Sequence, residues 1–269
     1  MRYANLPEPG RLAAIDRSEV GVLAFAGPGQ RPVTCAVTPF VDGDDAVITS
    51  LLAALRKVQS IRRDPRVAIL AGEAQLRGNA RVRLDETGEV FRARLQAQEL
   101  RKYPPSRILL RLPLHRRFLW WYSGRVIIRL KSGTAVTPGS DRVTVTHFCR
   151  DGLPRIVPLR RVPSLDGPVI DLRAAGADLP FPDGPACLLV HEEYRRSADL
   201  RQLRLSGDIR NSQLVVSRRT GSLSPAPAGL RRRIAELREM AKMAEANRPL
   251  LAGWRNNPTE GSGPPSPLG

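Results

Sequence analysis

The sequence has few aromatic residues and few cysteines. Only 5% of its 269 residues are Phe, Trp or Tyr, so the core must be built mainly from Val, Ile, Leu and Ala. The three cysteines, Cys35, Cys149 and Cys187, are odd in number and widely spaced. This spacing excludes a closed disulfide framework and a Cys-x-x-Cys metal or redox motif. The three histidines are isolated as well, so we expect no metal site.

Long apolar segments are also missing. The most apolar region, residues 106–130, is interrupted by six arginines, whereas a membrane span needs roughly 18 uninterrupted apolar residues. The N-terminus carries Glu8 and Asp16 and lacks the apolar core of a secretory signal. We therefore expect a cytoplasmic globular protein with no membrane partner.

The basic residues are almost all arginine. The formal charge is +17, and residues 76–130 carry thirteen basic and four acidic side chains, which is about half of the excess. Such a segment could bind nucleic acid, a phosphorylated cofactor or an acidic partner. A solvated Arg-rich face is the simpler interpretation, because no reading helix or interleaved aromatic pattern is evident. Nucleic acid is therefore a possible partner but not the favoured one.

Short apolar runs predict a series of strands in the first half of the chain. The predicted strands cover residues 20–26, 32–41, 46–50, 67–70 and 73–84. In the second of these, Val33, Cys35 and Val37 alternate with smaller or polar residues, which is the period of a strand with one buried face. Residues 51–63 change to helical spacing, and Asp64-Pro65 ends the predicted helix.

A similar order of strands and turns restarts near residue 140. Its predicted strands cover residues 143–148, 155–161, 169–172, 186–191 and 201–210. Gly78 and Gly207 fall at the same place in the two series, which favours an imperfect internal duplication over two unrelated runs of strands. The two series differ between their third and fourth strands. Only the first has a cationic helix there, with Arg56 and Lys57.

Five short motifs lie between residues 31 and 80. They are Arg31-Pro32-Val33-Thr34, Val47-Ile48-Thr49-Ser50, Leu55-Arg56-Lys57, Arg63-Asp64-Pro65-Arg66-Val67-Ala68 and Leu76-Arg77-Gly78-Asn79-Ala80. Together they resemble the pyridoxamine-5′-phosphate-oxidase-like, FMN-binding split-barrel family. The resemblance implies a mainly β fold, a β-barrel with flanking helices. We expect a split-barrel domain in residues 1–130, a degenerate repeat in 131–223, and a C-terminal helix with a disordered tail in 224–269.

The resemblance also implies a cofactor site. Family members hold the FMN phosphate against Arg and Lys near this helix, so Arg56 and Lys57 would bind the phosphate. Thr49 and Ser50 would offer donors to the phosphate or the ring, and Thr34 would lie under the ring. The same fold accommodates a deazaflavin coenzyme, and some relatives bind haem. One departure is clear, because the family's usual cation on the second strand is replaced by Cys35 and its small neighbours.

The function that the resemblance implies is an FMN- or deazaflavin-dependent oxidoreductase. Hydride would pass to or from a small planar substrate, and no residue stands out as general acid or base, so the catalytic residues are left unassigned. Split barrels of this family usually dimerise with cofactors at the interface. We therefore expect a homodimer, or an intramolecular pseudo-dimer with one retained and one degenerate site. The alternatives are a non-catalytic protein that binds nucleic acid or an acidic partner, and a haem-binding relative with a histidine ligand.

Overall fold

A computed structural model describes residues 8–103, 106–107, 119–131, 142–176, 181–194, 199–224 and 230–256. The helices in these ranges are α1 (Glu8–Arg17), α2 (Arg56–Arg63), α3 (Gln96–Lys102), α4 (Trp120–Ser123), α5 (Leu230–Ala246) and α6 (Arg248–Asn256). A 3-10 turn (Pro28–Gln30) and a π-helical turn (Phe91–Leu95) complete the helical segments described. No helix in these ranges is both long enough and apolar enough to cross a membrane.

The strands outnumber the helices. They are β1 (Gly21–Ala26), β2 (Pro32–Val37), β3 (Pro39–Asp42), β4 (Asp45–Leu51), β5 (Arg66–Ala71), β6 (Ala74–Asn79), β7 (Arg81–Asp85), β8 (Arg125–Lys131), β9 (Val143–Phe148), β10 (Pro154–Pro158), β11 (Val169–Asp171), β12 (Gly184–Tyr194), β13 (Asp199–Arg210) and β14 (Gln213–Ser222). The predicted mainly β fold is thus confirmed.

The strands form three antiparallel sheets. Sheet A has the order β2-β1-β5-β6, sheet B the order β3-β4-β8-β7, and sheet C the order β10-β9-β12-β13-β14-β11. Sheets A and B share one core, which contains Leu23 of β1, Ile48 of β4, and Val58 and Ile61 of α2. This curled arrangement with flanking helices is consistent with a split barrel. We call β1 to β8 the first half and β9 to β14 the second half.

The second strand is covered on both faces. Val33, Cys35 and Val37 pack against the core between sheets A and B, as their alternation predicts. The opposite face was expected to meet solvent, yet Thr34 is fully buried. The reason is that sheet C packs over this face, which the local sequence pattern cannot reveal.

The four strands of sheet A match four of the six strands of sheet C, β10-β9-β12-β13, in order and register. Gly78 pairs with Val67 of β5 in sheet A, and Gly207 pairs with Ala186 of β12 in sheet C. The neighbouring pairs β1–β2 and β9–β10 keep the same relative register. The two glycines therefore occupy matching positions, which supports the predicted duplication. The domain boundaries at residues 130 and 223 stay predictions.

The two halves pack face to face through an apolar centre. Its fully buried side chains come from both sheets: Val22, Ala24, Ala68, Leu70, Ile156 and Leu189. At its margin Gln75 Nε2 donates to Ile156 O at 2.5 Å, and Ile156 N donates to Gln75 Oε1 at 3.2 Å. The Gln75 amide thus extends the hydrogen bonding of sheet C, so the edge strand β10 is closed by a side chain of the first half.

Three arginines of the sequence motifs cross this interface. The bonds are Arg31 Nη2 to Gly207 O at 2.9 Å, Arg66 Nη1 to Gly152 O at 3.0 Å and Arg77 Nε to Pro154 O at 2.9 Å. Asp64 orients Arg66 through a hydrogen bond that holds the pKa of that carboxyl below its usual range. The motif arginines therefore join the halves.

Several predicted elements need correction. The helix expected over residues 51–63 begins only at Arg56, because residues 51–55 finish β4 and form a turn with Ala54 N bonded to Leu51 O. A helical turn, Trp120–Ser123, also precedes β8, where no helix is predicted. The strand expected over 73–84 is broken at Ala80, whose N–H donates to Pro65 O instead.

The C-terminal segment holds more structure than expected. The predicted helix is α5, and a further helix, α6, follows it after Asn247. Ala244 and Leu251, one from each helix, are buried in the core of the first half. Helix α1 and strand β14 were not predicted either. The tail predicted to be disordered covers residues 256–269, but Asn256 ends α6 instead, and residues 257–269 lie outside the described part of the chain.

A buried lysine fastens α3 to the first half. Lys102 is 3% exposed, and its Nζ donates to Ile15 O at 3.0 Å and to Pro39 O at 2.6 Å. Burial removes the ammonium from water and lowers the pKa of Lys102 from 10.5 to about 8. The charged form is therefore penalised in the folded protein.

Replacing the two matched glycines by alanine should have unequal effects. A Cβ at Gly207 would lie 1.9 Å from Val215 O, a backbone atom of β14, whereas a Cβ at Gly78 would meet only Leu130 Cδ1 at 3.3 Å. We expect Gly207→Ala to lower the free energy of unfolding by about 3 kcal/mol and Gly78→Ala by less than about 1 kcal/mol. Urea denaturation followed by tryptophan fluorescence measures both values. Equal losses would contradict the described register.

The Lys102 pKa predicts a pH dependence of stability. Between pH 8 and 10.5 the unfolded chain keeps the Lys102 proton that the folded chain has lost, so this group adds stability as pH rises. Burial raises the pKa of Cys35 and Cys187, and these thiols act in the opposite direction. The difference in unfolding free energy between the wild type and Lys102→Met isolates the lysine. It should increase from pH 8 to 10, and a flat or falling difference would show that Lys102 is not desolvated.

Candidate functional site

The site implied by the family resemblance lies where α2 begins. Leu55 is the N-cap but provides no side-chain acceptor, and the first helical hydrogen bond runs from Gln59 N to Leu55 O. The N–H groups of Arg56, Lys57 and Val58 therefore have no acceptor within the helix. Because the helix dipole adds positive potential at this end, the turn is suited to an anion.

Two cationic side chains occupy the same turn. Arg56 is exposed and Lys57 is half-buried, and the first turn contains no acidic residue. Cations at a helix N-terminus oppose the helix dipole, so their position does not stabilise the helix. In the part of the chain that the structure describes, neither side chain forms an ion pair or a hydrogen bond. The positive charge of this turn is thus not neutralised by another described residue.

Ser50 shapes the approach to this turn. It is 2% exposed, and its hydroxyl donates to Ala54 O at 2.7 Å. The proton that was expected to serve a phosphate is therefore used to order the loop before α2. Thr49, its neighbour on β4, is half-buried and keeps part of its side chain accessible.

Thr34 lies below the surface of the site. Its Oγ1 donates to Cys187 Sγ at 2.9 Å, and its carbonyl oxygen accepts from Arg204 Nη1 at 3.4 Å. Both partners belong to sheet C. Because Thr34 is fully buried, it has no surface with which to contact a ring directly, and in this structure it joins the two halves.

Two cations from other elements, Lys57 and Arg204, act on Cys35, which stands on β2 where the resemblance led us to expect a cation. Burial raises the pKa of the Cys35 thiol, while the charges of Lys57 and Arg204 oppose that rise. Lys57 belongs to α2, and Arg204 belongs to β13 of the second half, so each half contributes one cation whose charge acts on Cys35. No local pattern in the sequence marks Arg204, because its place beside β2 follows from the packing of sheet C. The matching strand position in sheet A is Gln75.

A second polar cluster is buried beside α3. Glu99 Oε1 accepts from Ser106 Oγ at 2.9 Å, from Tyr122 Oη at 3.0 Å and from Arg125 Nη2 at 3.1 Å. Burial and the Glu99 charge both raise the pKa of Tyr122. Since these donors and their acceptor satisfy one another, the cluster is explained by packing between α3, α4 and β8.

A groove of about 480 Å³ lies beside the C-terminal helices. It is lined by Glu86, Trp120, Arg248, Ala252 and Arg255. Arg255 Nε donates to Glu86 Oε2 at 2.6 Å, and the Arg248 guanidinium lies 4.5 Å from the centre of the Trp120 ring. These two cations of the groove are thus already engaged, unlike Arg56 and Lys57 at the start of α2.

The described histidines lie in sheet C. His147 and His191 are 8% and 2% exposed. The His147 ring meets Phe181 edge-on at 5.9 Å, and burial lowers the pKa of His147. Within the described ranges no three His, Cys, Asp or Glu side chains are grouped so that they could hold a metal ion.

The sequence matches no family model and no curated protein. Among solved structures it is similar to a conserved hypothetical protein from Mycobacterium tuberculosis, with 19% identity over 50% of this chain and 85% of that chain, and a TM-score of 0.38. It is also similar to an FAD-binding protein from Mesorhizobium loti, with 15% identity, 49% and 95% coverage, and a TM-score of 0.34. A candidate pyridoxamine 5′-phosphate oxidase from Listeria innocua gives 21% identity, 48% and 96% coverage, and a TM-score of 0.35. Identities and TM-scores this low assign no function to the chain.

Proposed function

We propose that this protein binds FMN, or a deazaflavin coenzyme, by its phosphate at the start of α2 and acts as an oxidoreductase on a small planar substrate. The observation that carries the proposal is the positive charge of that turn, which no described residue neutralises. Free N–H groups, Arg56 and Lys57 meet there, and the turn contains no acidic residue. A phosphate ester supplies the missing negative charge and the missing acceptors.

The donor set fits a phosphate in a specific way. The Arg56 guanidinium offers a planar fork to two phosphate oxygens, and the Lys57 ammonium offers a compact charge. Arg204 adds a third cation from the second half, close to Cys35. Bound FMN would supply hydride transfer, while the protein binds the phosphate and shields the ring from water.

We further propose that the two halves form an intramolecular pseudo-dimer with one functional site. The shared strand order and register of sheets A and C support this arrangement. The position that matches Arg204 holds Gln75, whose amide is already bonded to Ile156. The sequence between β11 and β12 has no lysine to match Lys57. The matching site therefore lacks counterparts of Lys57 and of Arg204, although Arg173 lies in the corresponding segment.

Removing the two helix cations should abolish phosphate-dependent binding. We expect Arg56→Ala/Lys57→Ala to weaken FMN binding at least about 100-fold, because charge-assisted hydrogen bonds are lost, and to leave riboflavin binding nearly unchanged. Flavin fluorescence quenching measures both affinities. Arg81→Ala/Arg83→Ala, which removes the same charge from exposed positions of β7, is the matched control and should leave both affinities unchanged.

Two results would contradict the cofactor site. One is an unchanged FMN affinity in the double variant, and the other is an equal loss in the β7 control, which would assign the effect to net charge. The visible spectrum of purified, cofactor-loaded protein distinguishes a flavin from a deazaflavin. A Soret band would instead support the haem alternative.

The pseudo-dimer predicts the number of binding sites. We expect calorimetric titration with FMN to saturate at one molecule per chain, since only one of the matched sites has Lys57 and Arg204 beside it. The same ratio is expected whether or not two chains associate, so light scattering on the same sample separates a monomer from a homodimer. Saturation at two equal sites per chain would refute the asymmetry.

A further inference from the structure

The loop that leads into α2 is held by two side chains, one of them from a distant part of the sequence. Asn247 Nδ2 donates to Leu52 O at 2.9 Å and to Ala53 O at 3.3 Å. Ser50 Oγ donates to the next carbonyl, Ala54 O, at 2.7 Å. Three successive carbonyls before the N-cap are therefore engaged by side chains.

These bonds fix the direction in which the chain enters α2. In a trans peptide the C=O and the following N–H point in opposite directions. Fixing the carbonyls of Leu52, Ala53 and Ala54 therefore also fixes the N–H groups that follow them, up to Leu55. The free N–H groups of Arg56 and the next residues continue from this fixed segment.

Asn247 is itself held firmly. It separates α5 from α6, its N–H donates to Met243 O at 3.0 Å, and its carbonyl accepts from Leu251 N at 3.0 Å. Ala244 and Leu251, on either side of it, are 0% and 1% exposed in the core of the first half. Its side chain is therefore presented to the loop from a rigid element.

The same helix pair contacts the far end of α2. The guanidinium of Arg62, in the last turn of α2, lies 4.6 Å from the centre of the Trp254 ring. The C-terminal helices thus contact the loop before α2 and the last turn of α2. Neither contact is needed to cover the apolar face of α2, because Val58 and Ile61 are already buried against the barrel core.

We infer that Asn247 is a positioning residue of the phosphate site and that the C-terminal helices complete this site. The inference rests on the proposed function, because the fixed loop serves the site only if the N–H groups that follow it bind a phosphate. A single amide nitrogen carries two hydrogens, which matches the two carbonyls it meets. Aspartate, although nearly the same shape, has no hydrogen to give them when ionised.

The test compares Asn247→Ala and Asn247→Asp with Arg248→Ala. The control removes the contact with Trp120 on the same helix pair but leaves the loop carbonyls bonded. We expect FMN binding to weaken about tenfold in both Asn247 variants, while riboflavin binding changes less than twofold and Arg248→Ala changes neither. Ser50→Ala, which frees the third carbonyl from the opposite side, should give the same selective loss.

A second measurement needs no cofactor. Amide hydrogen exchange of residues 51–58 should be faster in Asn247→Ala than in the wild type and in Arg248→Ala, with exchange in sheet C unchanged. Equal weakening of FMN and riboflavin, or unchanged exchange in this segment, would overturn the inference. If the wild type does not distinguish FMN from riboflavin, the proposed cofactor is wrong. Faster exchange in that case would show that Asn247 orders the loop but has no role in phosphate binding.

Discussion

The proposed function depends on positive charge at the start of α2 that no residue in the described ranges neutralises. Like charges repel, and a folded protein usually relieves such repulsion by placing a carboxylate nearby. Here Arg56 and Lys57 share a turn with free N–H groups, and that turn contains no acidic residue. The arrangement does not stabilise the helix, since cations belong at the opposite end of the helix dipole. An anion from outside the protein would remove this cost, which makes phosphate recognition the simplest explanation.

Distant segments of the chain build the surroundings of this turn. The barrel core holds α2 through Val58 and Ile61, sheet C brings Arg204 close to Cys35, and the C-terminal helices bring Asn247 to the preceding loop. The motif arginines Arg31, Arg66 and Arg77 do not belong to this turn, because they donate hydrogen bonds across the interface between the two halves. Three motif arginines thus join the halves, whereas Arg56 and Lys57 form no ion pair with a described residue.

Local patterns in the sequence predicted the strands and the cationic helix, but not their surroundings. The alternation around Cys35 was sufficient to predict β2 and its core-facing side chains. The burial of Thr34 depends on sheet C, about 150 residues later in the sequence, so the alternation of residues around Thr34 cannot predict it. The predicted start of α2 was too early because residues 51–55 fit helical spacing. In the structure the carbonyls of residues 52–54 accept hydrogen bonds from the side chains of Ser50 and Asn247 and not from helical N–H groups. Arg204 was missed for the same reason as Thr34, since tertiary packing alone places it.

An experimental structure of the protein saturated with FMN tests the central claim most directly. We predict that the phosphate lies within hydrogen-bond distance of Lys57 Nζ and of the free N–H groups at the start of α2, with the Arg56 guanidinium turned toward it. A phosphate bound elsewhere, with Arg56 and Lys57 facing open solvent, would contradict the account.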